Sequence, residues 1–492
     1  MKEINQLLEG VRVVGKYGKP VATISHICMD SRQCTENSMF IAIKGTSVDG
    51  HDFIPDAIQR GARVIVSERE PQSQVPEQVF WIQVDNSRRA LSFIAKNYYD
   101  KPDEELTIVG VTGTNGKTTV VHLLYEGSKA LGLRTGRIGT IGYEWADEFE
   151  KATHTTPDPI TLFSVLRRMA DAGVSHVFME VSSHALDQDR VSAIRFSGAI
   201  FTNISHDHLD YHQTMQNYIN AKKKLFDMLS EDAWALVNVD DRYHKQMIAS
   251  TKAKVYTYGI RRAADFTCKI LEMDIFGTHI DIEGRSIHIL LPGIFNVYNF
   301  LAAYGGLKLS TDFEDEVILQ ALSKVPAPKG RMNIIKEAGI TAVIDYAHTP
   351  DALKKLLETI KQVRIPEQKI ILVFGAGGDR DKEKRPLLGR IGAQLADIAI
   401  ITSDNPRSED PQDIIRDMLT DLNAIYRRKT LSIPDRREAI RTAVAMAHQG
   451  DIIVIAGKGH EEYQEIKGKR IPFSDFEEVV KALKERKPAK HS

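Results

Sequence analysis

The residues with the clearest chemical potential lie between positions 106 and 121, LTIVGVTGTNGKTTVV, where an apolar run meets a glycine turn. This order is typical of a buried strand, a phosphate-binding loop and the first turn of a helix. The start of a helix offers unpaired N–H groups and the positive end of its dipole, so the backbone would hold a polyphosphate there. Lys117 would reach the terminal phosphates, and Thr118 would offer its hydroxyl to a magnesium ion that the phosphates also bind.

The loop departs from the general phosphate-loop pattern at one position, because Val111 stands where that pattern has a glycine. The alternative interpretation is a glycine turn that caps an ordinary helix. Gly-Lys-Thr-Thr directly after a strand favours the nucleotide site. Its predicted members are Gly113, Thr114, Asn115, Gly116, Lys117, Thr118 and Thr119.

Composition and charge exclude several classes of function. At 492 residues the chain is long enough for about three domains of ~150 residues each. Lys and Arg number 65 against 66 Asp and Glu, a formal net charge of -1, so nucleic acid and anionic membranes are not favoured as partners. The N-terminus lacks the apolar core of a signal peptide, and no later apolar run is long enough to span a bilayer.

The three cysteines, Cys28, Cys34 and Cys268, are scattered without metal-type spacing and are predicted to be buried thiols in a reducing compartment. We therefore expect a soluble cytoplasmic protein that acts on small molecules. Nucleic-acid binding and membrane insertion are not expected, and the protein is predicted to be a monomer.

The apolar runs divide the chain into three α/β segments. Residues 1–102 alternate short strands with turns and predict a small α/β domain. Residues 103–330 carry the phosphate loop followed by strand-like runs with polar tails, as in a P-loop ATPase-like parallel sheet. Residues 331–492 alternate strands and helices and predict a Rossmann-like sheet. The FGAGGD stretch there lacks the full dinucleotide fingerprint, so a nicotinamide cofactor is rejected.

Besides Thr118, the middle segment offers Glu180 and His208 as candidate metal ligands. Glu180 ends an apolar run and is the best placed magnesium ligand, the alternative being a surface glutamate at a strand end. The stretch HDHLDYH looks like a zinc cluster, but no cysteine or second histidine pair completes a tetrahedral set. His208 is therefore predicted to bind a second magnesium, while His206 and His212 are polar loop residues.

Lys222 belongs to the basic run AKKKLF, which is usually a solvated helix face. A neutral lysine amine can instead add carbon dioxide and become a carbamate, an oxygen ligand for magnesium. The residues alone leave this choice open.

Amides and charges further along suit nucleotide and amino-acid recognition. Asn296 and Asn299 lie at i, i+3 at a helix start, an arrangement that suits an adenine edge, and Arg331 could stabilise charge on a transferring phosphate. The loops of the last segment offer both signs of charge, as a zwitterionic amino acid would need. These loop residues are Arg380, Asp404, Asn405, Arg407 and Glu461.

Many motifs together make the chain similar to the Mur ligase family along nearly its whole length. They are GTNGKTT, EVSSHALDQDR, HDHLDYH, AKKKLF, FNVYNFLAA, GRMN, DYAHTPDAL, FGAGGDRD, DNPR and GKGHE. The resemblance implies an ATP-dependent amide ligase of cytoplasmic peptidoglycan synthesis that forms ADP and phosphate through an acyl phosphate. It implies addition of meso-diaminopimelate to UDP-MurNAc-L-Ala-D-Glu. It also implies a UDP-substrate domain over 1–102, an ATP domain over 103–330 and an amino-acid domain over 331–492.

Two other hypotheses stay in view. The GTNGKTT loop is also similar to that of the folylpolyglutamate synthetases, but such a ligase does not explain the long N-terminal domain or DNPR. The second is a nucleotide-regulated binding protein whose C-terminal domain docks a partner.

The resemblance also implies residue roles. The catalytic group is Lys117, Glu180, His208, Lys222 and Arg331, and the metal ligands are Thr118, Glu180, His208 and the carbamate of Lys222. The ATP site adds Asn296, Asn299, Arg331, Asp345 and His348 to the loop. The UDP-MurNAc-dipeptide site is Met29, Ser31, Thr46, Ser47, Val48, Thr155, Thr156, Ser182, Gln188 and Arg190. The diaminopimelate site is Arg380, Asp404, Asn405, Pro406, Arg407, Gly457 and Glu461. His154 departs from the pattern, since some relatives have asparagine there.

Overall fold

Three sheets, each formed by one stretch of the chain, organise the computed structural model, which describes residues 1–45 and 48–486. The predicted three-domain α/β architecture is confirmed. The predicted site residues Thr46 and Ser47 lie outside the described residues.

The N-terminal sheet has the strand order β2-β7-β6-β5-β4 in the described part of the chain, and β2 alone runs antiparallel to its neighbour. Two of its helices have start signals in the sequence: Pro55 lies in the first turn of α2, and the Asn86 side chain accepts from the Arg89 amide before α3. The elements of this domain are β1 (Lys2–Glu3), α1 (Ile4–Leu7), β2 (Val13–Gly18), β3 (Thr23–Ile24), β4 (His26–Cys28), β5 (Ser38–Ile41), α2 (Ile54–Gln59), β6 (Ala62–Ser67), β7 (Phe80–Val84) and α3 (Ser87–Tyr98), with 3₁₀ turns at Ser31–Gln33, Gly50–Phe53 and Pro102–Glu104.

The middle domain is centred on β8, whose sequence TIVGVT is buried between β12 and β13. A continuous apolar strand of this kind is expected where helices cover both faces of a parallel sheet. The elements are β8 (Thr107–Thr112), α4 (Lys117–Ala130), β9 (Thr135–Ile138), β10 (Tyr143–Trp145), β11 (Glu148–Glu150), α5 (Pro159–Asp171), β12 (His176–Glu180), α6 (Ser183–Asp187), β13 (Gly198–Phe201), α7 (Leu209–His212), α8 (Met215–Asp227), β14 (Trp234–Asn238), α9 (His244–Met247), β15 (Lys254–Gly259), β16 (Phe266–Thr267), β17 (Lys269–Met273), β18 (Thr278–Ile282), β19 (Arg285–Ile289), α10 (Ile294–Ser310) and α11 (Asp315–Ser323).

The sheet order there is β11-β10-β9-β12-β8-β13-β14-β15-β16, parallel from β9 to β16, with a separate antiparallel sheet of β17, β18 and β19. Because β8, β12 and β13 run in the same direction side by side, their carboxyl ends meet at one edge. The phosphate loop, Glu180 and the segment after residue 201 therefore come together.

The C-terminal domain has the strand order β20-β21-β25-β22-β23-β24, and β20 is its antiparallel edge. The central strands IILVF and IIVIA are buried along their whole length, as the predicted Rossmann-like sheet requires. The elements are β20 (Asn333–Glu337), β21 (Ile340–Asp345), α12 (Pro350–Val363), β22 (Ile370–Phe374), α13 (Lys384–Leu395), β23 (Ile398–Ile401), α14 (Pro411–Leu419), α15 (Ala424–Arg428), β24 (Thr430–Ser432), α16 (Arg436–Met446), β25 (Ile452–Ala456), β26 (Tyr463–Ile466), β27 (Lys469–Pro472) and α17 (Asp475–Glu485).

The cysteines are buried and free, as predicted. The sulfurs of Cys28 and Cys34 are nevertheless only 2.7 Å apart, because the 3₁₀ turn between them folds the chain back. Among the described residues, no helix combines the length and the apolar character needed to cross a bilayer.

Candidate active site

The glycines of the phosphate loop are required by its conformation. Gly113 and Gly116 have φ values of +148° and +92°, in the region that L side chains rarely adopt. A Cβ atom at Gly113 would collide with the Thr202 side chain, and one at Gly116 would collide with the Asn299 amide. The loop thus packs tightly between the segment after β13 and helix α10. It ends at α4, whose first N–H groups have no partner inside the helix and are suited to an anion.

The segment after β13 fixes the rest of the loop. The carbonyl oxygen of Asn203 accepts from the Thr114 amide at 2.7 Å, and its side-chain oxygen accepts from the Asn115 amide at 3.1 Å. The Thr202 hydroxyl donates to the Asn115 carbonyl at 2.7 Å. These contacts hold the loop in one shape before any ligand binds.

The Lys117 side chain folds back over the phosphate loop that precedes it. Its Nζ donates to the carbonyl oxygens of Gly113 and Thr114 at 2.9 and 3.0 Å. Burial lowers the pKa of Lys117, the carboxylates of Glu180 and Asp207 oppose that shift, and Arg331 adds to it. Thr119, two residues after Lys117, is buried in the first turn of α4.

Thr118 and Glu180 form an oxygen-rich pair at the carboxyl ends of β8 and β12. The Thr118 hydroxyl donates to Glu180 Oε2 at 2.9 Å, and the carboxylate is 2% exposed. Thr140, which follows β9, holds the same carboxylate with its amide at 2.8 Å and its hydroxyl at 3.2 Å. Arg331 reaches this pair from the start of the C-terminal domain, with Nη2 3.4 Å from Thr118 Oγ1.

Lys222 is the buried member of its basic run. Its side chain points from α8 to the phosphate loop, where Nζ donates to the Gly113 carbonyl at 2.8 Å and lies 4.7 Å from the centre of the Tyr218 ring. Burial and the charge of Lys117 hold the pKa of Lys222 well below its usual value, although Asp207 opposes them. Both effects favour the neutral amine, which is the form that is nucleophilic toward carbon dioxide.

His208 also lies near Tyr218, with the two ring centres 6.2 Å apart. Burial is the main cause that lowers the pKa of His208 to about 3, so the imidazole is neutral and able to bind a metal. His206 is exposed, as expected for a polar loop residue. The same expectation for His212 is wrong, because it lies in α7, is 5% exposed and bonds Ser183 Oγ at 3.0 Å.

The predicted magnesium ligands are thus arranged as two groups around Lys117: Thr118 with Glu180, and His208 with Lys222. Among the described residues, no three or more His, Cys, Asp or Glu side chains converge as a metal site of their own. A hydroxyl, a carboxylate and phosphate oxygens are nevertheless the hard donors that magnesium prefers, so the residues fit that ion together with a polyphosphate.

The two asparagines of α10 are buried, at 3% and 6% exposure, and are bonded to each other through Asn299 Nδ2 and Asn296 Oδ1 at 3.1 Å. Asn296 also donates to the Pro292 carbonyl at 2.8 Å. The Asn299 amide lies against Gly116 of the phosphate loop. An adenine edge that binds the two asparagines would have to displace some of these hydrogen bonds.

Asp345 is the last residue of β21, and His348 follows that strand on the other side of Tyr346. Asp345 accepts from the amides of Met332 and Ala347, both at 2.8 Å, and burial raises its pKa. His348 is exposed, with its ring centre 4.6 Å from that of Tyr346, and the Arg331 guanidinium lies 4.5 Å from the centre of the same tyrosine. Because Arg331 contacts both Tyr346 and Thr118, it connects Asp345 and His348 to the phosphate loop.

The residues predicted to hold the muramoyl-dipeptide form one hydrogen-bonded group beside Glu180. The Thr156 hydroxyl donates to the Glu180 carbonyl at 2.8 Å and accepts from the Ser182 amide at 3.1 Å. Arg190 donates to the Thr156 carbonyl at 2.8 Å and to Gln188 Oε1 at 2.6 Å. Thr155 Oγ1 lies 3.0 Å from Thr140 Oγ1. His154 lies next to this group and is exposed.

Met29, Ser31 and Val48 lie in the N-terminal domain and do not take part in that group. Met29 and Val48 are exposed by 39% and 58%, whereas Ser31 is buried in the 3₁₀ turn. A hydrogen bond from Ser31 is the main cause that lowers the pKa of Asp56. The two exposed side chains are available to a ligand at the turn.

The residues of the predicted diaminopimelate site meet where β22, β23 and β25 end. Arg407 has a φ of +52°, its Nη1 donates to the Gly378 carbonyl at 2.6 Å, and its amide donates to the Glu465 carbonyl at 2.9 Å. Arg380 is exposed on the same loop as Gly378, and Pro406 is buried beside Arg407. The cationic side chains therefore share one side of the site.

Another side of the site is anionic. Asp404 and Asn405 are buried, at 6% and 5% exposure, and Asn405 Nδ2 donates to Glu461 Oε2 at 2.8 Å. Gly457 has a φ of +118°, and a Cβ atom there would lie 2.6 Å from Asp404 Oδ2. Only glycine lets the turn after β25 approach that carboxylate so closely.

Sequence reasoning missed four residues that organise these sites. Thr140 holds Glu180, Asp207 pairs with Lys384 across the domain boundary at 2.9 Å, and Lys458 contacts Asn405 and Glu461. Thr140 was detectable as a polar residue after a strand, and Lys458 as part of GKGHE. Nothing local marks the pairing of Asp207 with Lys384, which are 177 residues apart.

Comparisons with known proteins agree with this arrangement. Three family models match: "Mur ligase family, catalytic domain" over residues 23–99, "Mur ligase middle domain" over 111–306 and "Mur ligase, glutamate ligase domain" over 330–459. Two relatives named UDP-N-acetylmuramoyl-L-alanyl-D-glutamate--2,6-diaminopimelate ligase, from Cytophaga hutchinsonii and Bacteroides fragilis, are each 46% identical to the chain. The alignments cover 96% and 98% of this chain and 97% and 99% of theirs. A solved structure with the same name is 33% identical, with a TM-score of 0.67 over 94% of this chain and 95% of that one.

Proposed function

The chain belongs to the Mur ligase family, and we propose that it joins meso-2,6-diaminopimelate to the D-glutamate γ-carboxylate of UDP-MurNAc-L-Ala-D-Glu. As a Mur ligase it is an ATP-dependent enzyme, and the products are ADP, phosphate and the extended peptidoglycan precursor. The folylpolyglutamate hypothesis is less favourable, because the family match includes the N-terminal residues 23–99.

One observation carries the proposal: the phosphate loop contacts residues from both substrate sides. Glu180 joins Thr118 of the loop to Thr156 of the muramoyl-dipeptide group, through its carboxylate and its backbone carbonyl. Arg331 reaches Thr118 at the start of the amino-acid domain, and Asn115 Nδ2 donates to Asp351 Oδ2 at 3.1 Å across the same boundary. A nucleotide, an acceptor carboxylate and an amine would therefore meet at one place.

The reaction has two steps. A γ-carboxylate oxygen of D-glutamate attacks the γ-phosphorus of ATP, the bond from that phosphorus to the bridging oxygen breaks, and ADP leaves. The amine of diaminopimelate then attacks the acyl carbon, the carbon–oxygen bond to phosphate breaks, and the amine loses a proton. Lys117 and the α4 amides hold the phosphates in line for the first step, and Arg331 stabilises the transferring phosphoryl group.

Magnesium and a carbamate complete the proposed ligand set. Thr118, Glu180, His208 and the carbamate of Lys222 would hold magnesium, with His208 as a ligand of a second ion, and the metal would neutralise charge on the phosphates. The carbamate forms when the neutral Lys222 amine adds carbon dioxide and loses a proton. The buried position of the amine beside Lys117 supports this assignment.

In this proposal each of the three domains binds a different part of the substrates. Residues 1–102 bind the uridine nucleotide, with Met29, Ser31 and the loop at residues 46–48 as contacts. Residues 103–330 bind ATP and the dipeptide, and residues 331–492 bind diaminopimelate. We place the reaction in the cytoplasm, on a monomer, with no nucleic-acid partner.

The test is ADP release with ATP, UDP-MurNAc-L-Ala-D-Glu and a panel of amino acids. The proposal expects ADP only when the UDP-dipeptide and diaminopimelate are both present, and a product whose mass is that of the tripeptide. ADP release without the amino acid, or with a folate in place of the UDP-dipeptide, would favour the ATPase-switch or folylpolyglutamate hypothesis.

A further inference from the structure

Lys458 is a buried cation in the turn after β25. Its side chain is fully buried, and its Nζ lies 3.0 Å from Asn405 Oδ1, 3.0 Å from Glu461 Oε2 and 3.6 Å from Asp404 Oδ1. An ammonium group is rarely buried so completely unless it is paired. Lys458 is therefore a structural component of this site, paired with the polar groups around it.

The first consequence concerns the Asn405 amide. Its oxygen accepts from Lys458 and from the Glu465 amide at 2.9 Å, while its nitrogen donates to Glu461 Oε2. The reversed amide would direct its NH₂ group at the ammonium and the Glu465 N–H. The contacts of Lys458 thus fix which end of Asn405 faces Glu461.

The second consequence concerns charge. Arg436 and Asp475 are both fully buried and pair with each other through two contacts of 2.7 Å, so each compensates the other. Lys458 remains as one cation against the carboxylates of Asp404 and Glu461. The anionic side of the site therefore carries one negative charge in excess, which suits one ammonium group.

We infer that Lys458 is a positioning residue for recognition of the incoming zwitterion. It orients Asn405 and Glu461, and it compensates one of the two carboxylates so that a single ammonium group of the substrate balances the other. This inference rests on the proposed function, because it assumes that diaminopimelate binds between this anionic side and Arg380 with Arg407. Lys458 itself need not touch the substrate.

The test compares wild-type protein with Lys458→Met, Lys458→Arg and Lys429→Met. The Lys429 ammonium donates to the Ala396 carbonyl at 2.6 Å just before the edge strand β24 begins, away from the site, which makes Lys429 a control in the same sheet. We measure kcat and KM for ATP, UDP-MurNAc-L-Ala-D-Glu and diaminopimelate, and the preference for diaminopimelate over lysine.

Lys458→Met should raise the KM for diaminopimelate by about 10-fold or more, a change of about 1.4 kcal/mol. It should lower kcat less and narrow the preference over lysine, with the KM values of the other two substrates within about 2-fold of wild type. Lys458→Arg should recover part of the loss because it keeps the charge, and Lys429→Met should behave as wild type.

An unchanged diaminopimelate KM in Lys458→Met, or an equal rise in all three KM values, would overturn the inference. If that variant does not fold, Lys458→Gln removes the charge while it keeps a donor for Asn405, and the same outcomes decide. Wild-type protein that releases no ADP with diaminopimelate would contradict the proposed function itself. Normal wild-type turnover with unaffected Lys458 variants would contradict only this inference.

Discussion

Lys117 and Lys222 donate to the same acceptor, the carbonyl oxygen of Gly113, at 2.9 and 2.8 Å. Two ammonium groups that share one neutral acceptor repel each other, and burial disfavours both charges. The charge of Lys117 accordingly contributes to the lowered pKa of Lys222. The loop that would bind phosphate thus also favours the neutral form of Lys222.

The first prediction follows for Lys222. Replacement by alanine should leave the enzyme nearly inactive, because the carbamate that would hold magnesium cannot form. A small carboxylate such as acetate should restore part of the activity. The measurement is the rate of ADP release as acetate is titrated.

The neighbouring lysines are the matched controls. Lys223 reaches Asp227 and Ser250, and Lys224 lies 3.6 Å from Asp187, so both point away from the loop. Lys223→Ala and Lys224→Ala should be mild and insensitive to acetate. Equal losses at all three positions would favour a general charged face over a carbamate.

The position of Lys222 illustrates what the sequence could and could not predict. Lys222 lies four residues after Tyr218 and three before Leu225, on the buried face of α8, whereas Lys223 and Lys224 are out of phase with that face. Helical periodicity could therefore have selected Lys222. The sequence could not show that Gly113, 109 residues away, accepts its hydrogen bond.

The same division holds elsewhere. The alternation of apolar strands with helices predicted the three α/β domains, and the rule that ligands gather at the carboxyl ends of parallel strands selected Glu180. Continuous apolar strands and glycine turns are local signals, so the sequence alone reveals them. The contacts that orient these groups join distant segments: Thr140 with Glu180 across 40 residues, and Lys458 with Asn405 across 53. Such pairs depend on sheet order, which the sequence alone left undetermined.

The second prediction concerns Lys117. Lys117→Ala should remove about 2 to 4 kcal/mol of transition-state stabilisation, the range for a preorganised electrostatic group, and so nearly abolish turnover. Lys129→Ala, on the same helix with its side chain 46% exposed, is the control and should be close to wild type. Single-turnover phosphoryl transfer is the measurement. A near-normal rate in Lys117→Ala would show that this loop is not the ATP site.

The third prediction concerns the ion pair between the middle and C-terminal domains. Asp207 and Lys384 lie 2.9 Å apart, with side chains 10% and 16% exposed. Burial acts to raise the pKa of Asp207, but the charge and the hydrogen bond of Lys384 act against it, and the pKa lies below the usual carboxyl value. The ion pair therefore stabilises the arrangement in which the middle and C-terminal domains both contact the phosphate loop.

Asp207→Asn, Lys384→Met and the double variant form a cycle for kcat/KM. Their coupling should be about 0.5 to 3 kcal/mol, so the double variant should be little worse than either single one. Lys382→Ala, whose side chain is 69% exposed, is the control. Strictly additive losses would mean that the pair does not act as a unit.

The fourth prediction is a pH dependence of stability at Glu409. Hydrogen bonds from the buried Arg385 are the main cause that lowers the pKa of Glu409 to about 2. Arg385 also contacts Gly377 and Asp417, so it joins the loops that carry Arg380 and Arg407. A lowered carboxyl pKa contributes stability that is present above the unfolded value of about 4.3 and is lost as the pH falls toward 2.

Glu409→Gln should therefore be less stable than wild type at pH 7, by about 1.5 to 3 kcal/mol for charged hydrogen bonds. The difference in the free energy of unfolding between Glu409→Gln and wild type should shrink to zero as the pH falls from about 5 to about 2.5. The measurement is urea unfolding, followed by a signal from the C-terminal domain. Asp417→Asn should have a smaller effect, since the Asp417 side chain is 42% exposed. A gap that is constant with pH would argue against an ionised Glu409 as the cause.

The last prediction concerns Arg407 and the choice of amino acid. Diaminopimelate differs from lysine by a second carboxylate at its far end, and an arginine fork can bind a carboxylate through two hydrogen bonds. Arg407 is held in position by its backbone contacts to Glu465 and Lys467, while its side chain is 23% exposed and lies beside Gly377 with Arg380. A site built for polar groups rejects an analogue that lacks them by about 10⁴-fold, and we expect that preference for diaminopimelate over lysine.

Arg407→Ala should raise the KM for diaminopimelate and narrow this preference, with the ATP affinity almost unchanged. Arg407→Lys should recover little, because it keeps the charge but lacks the planar fork. Arg416→Ala, exposed on α14, is the control and should retain wild-type selectivity. The measurement is kcat/KM for the two amino acids with each variant. If the wild-type protein adds lysine as readily as diaminopimelate, or if Arg407→Ala leaves the discrimination unchanged, Arg407 does not determine the choice of amino acid.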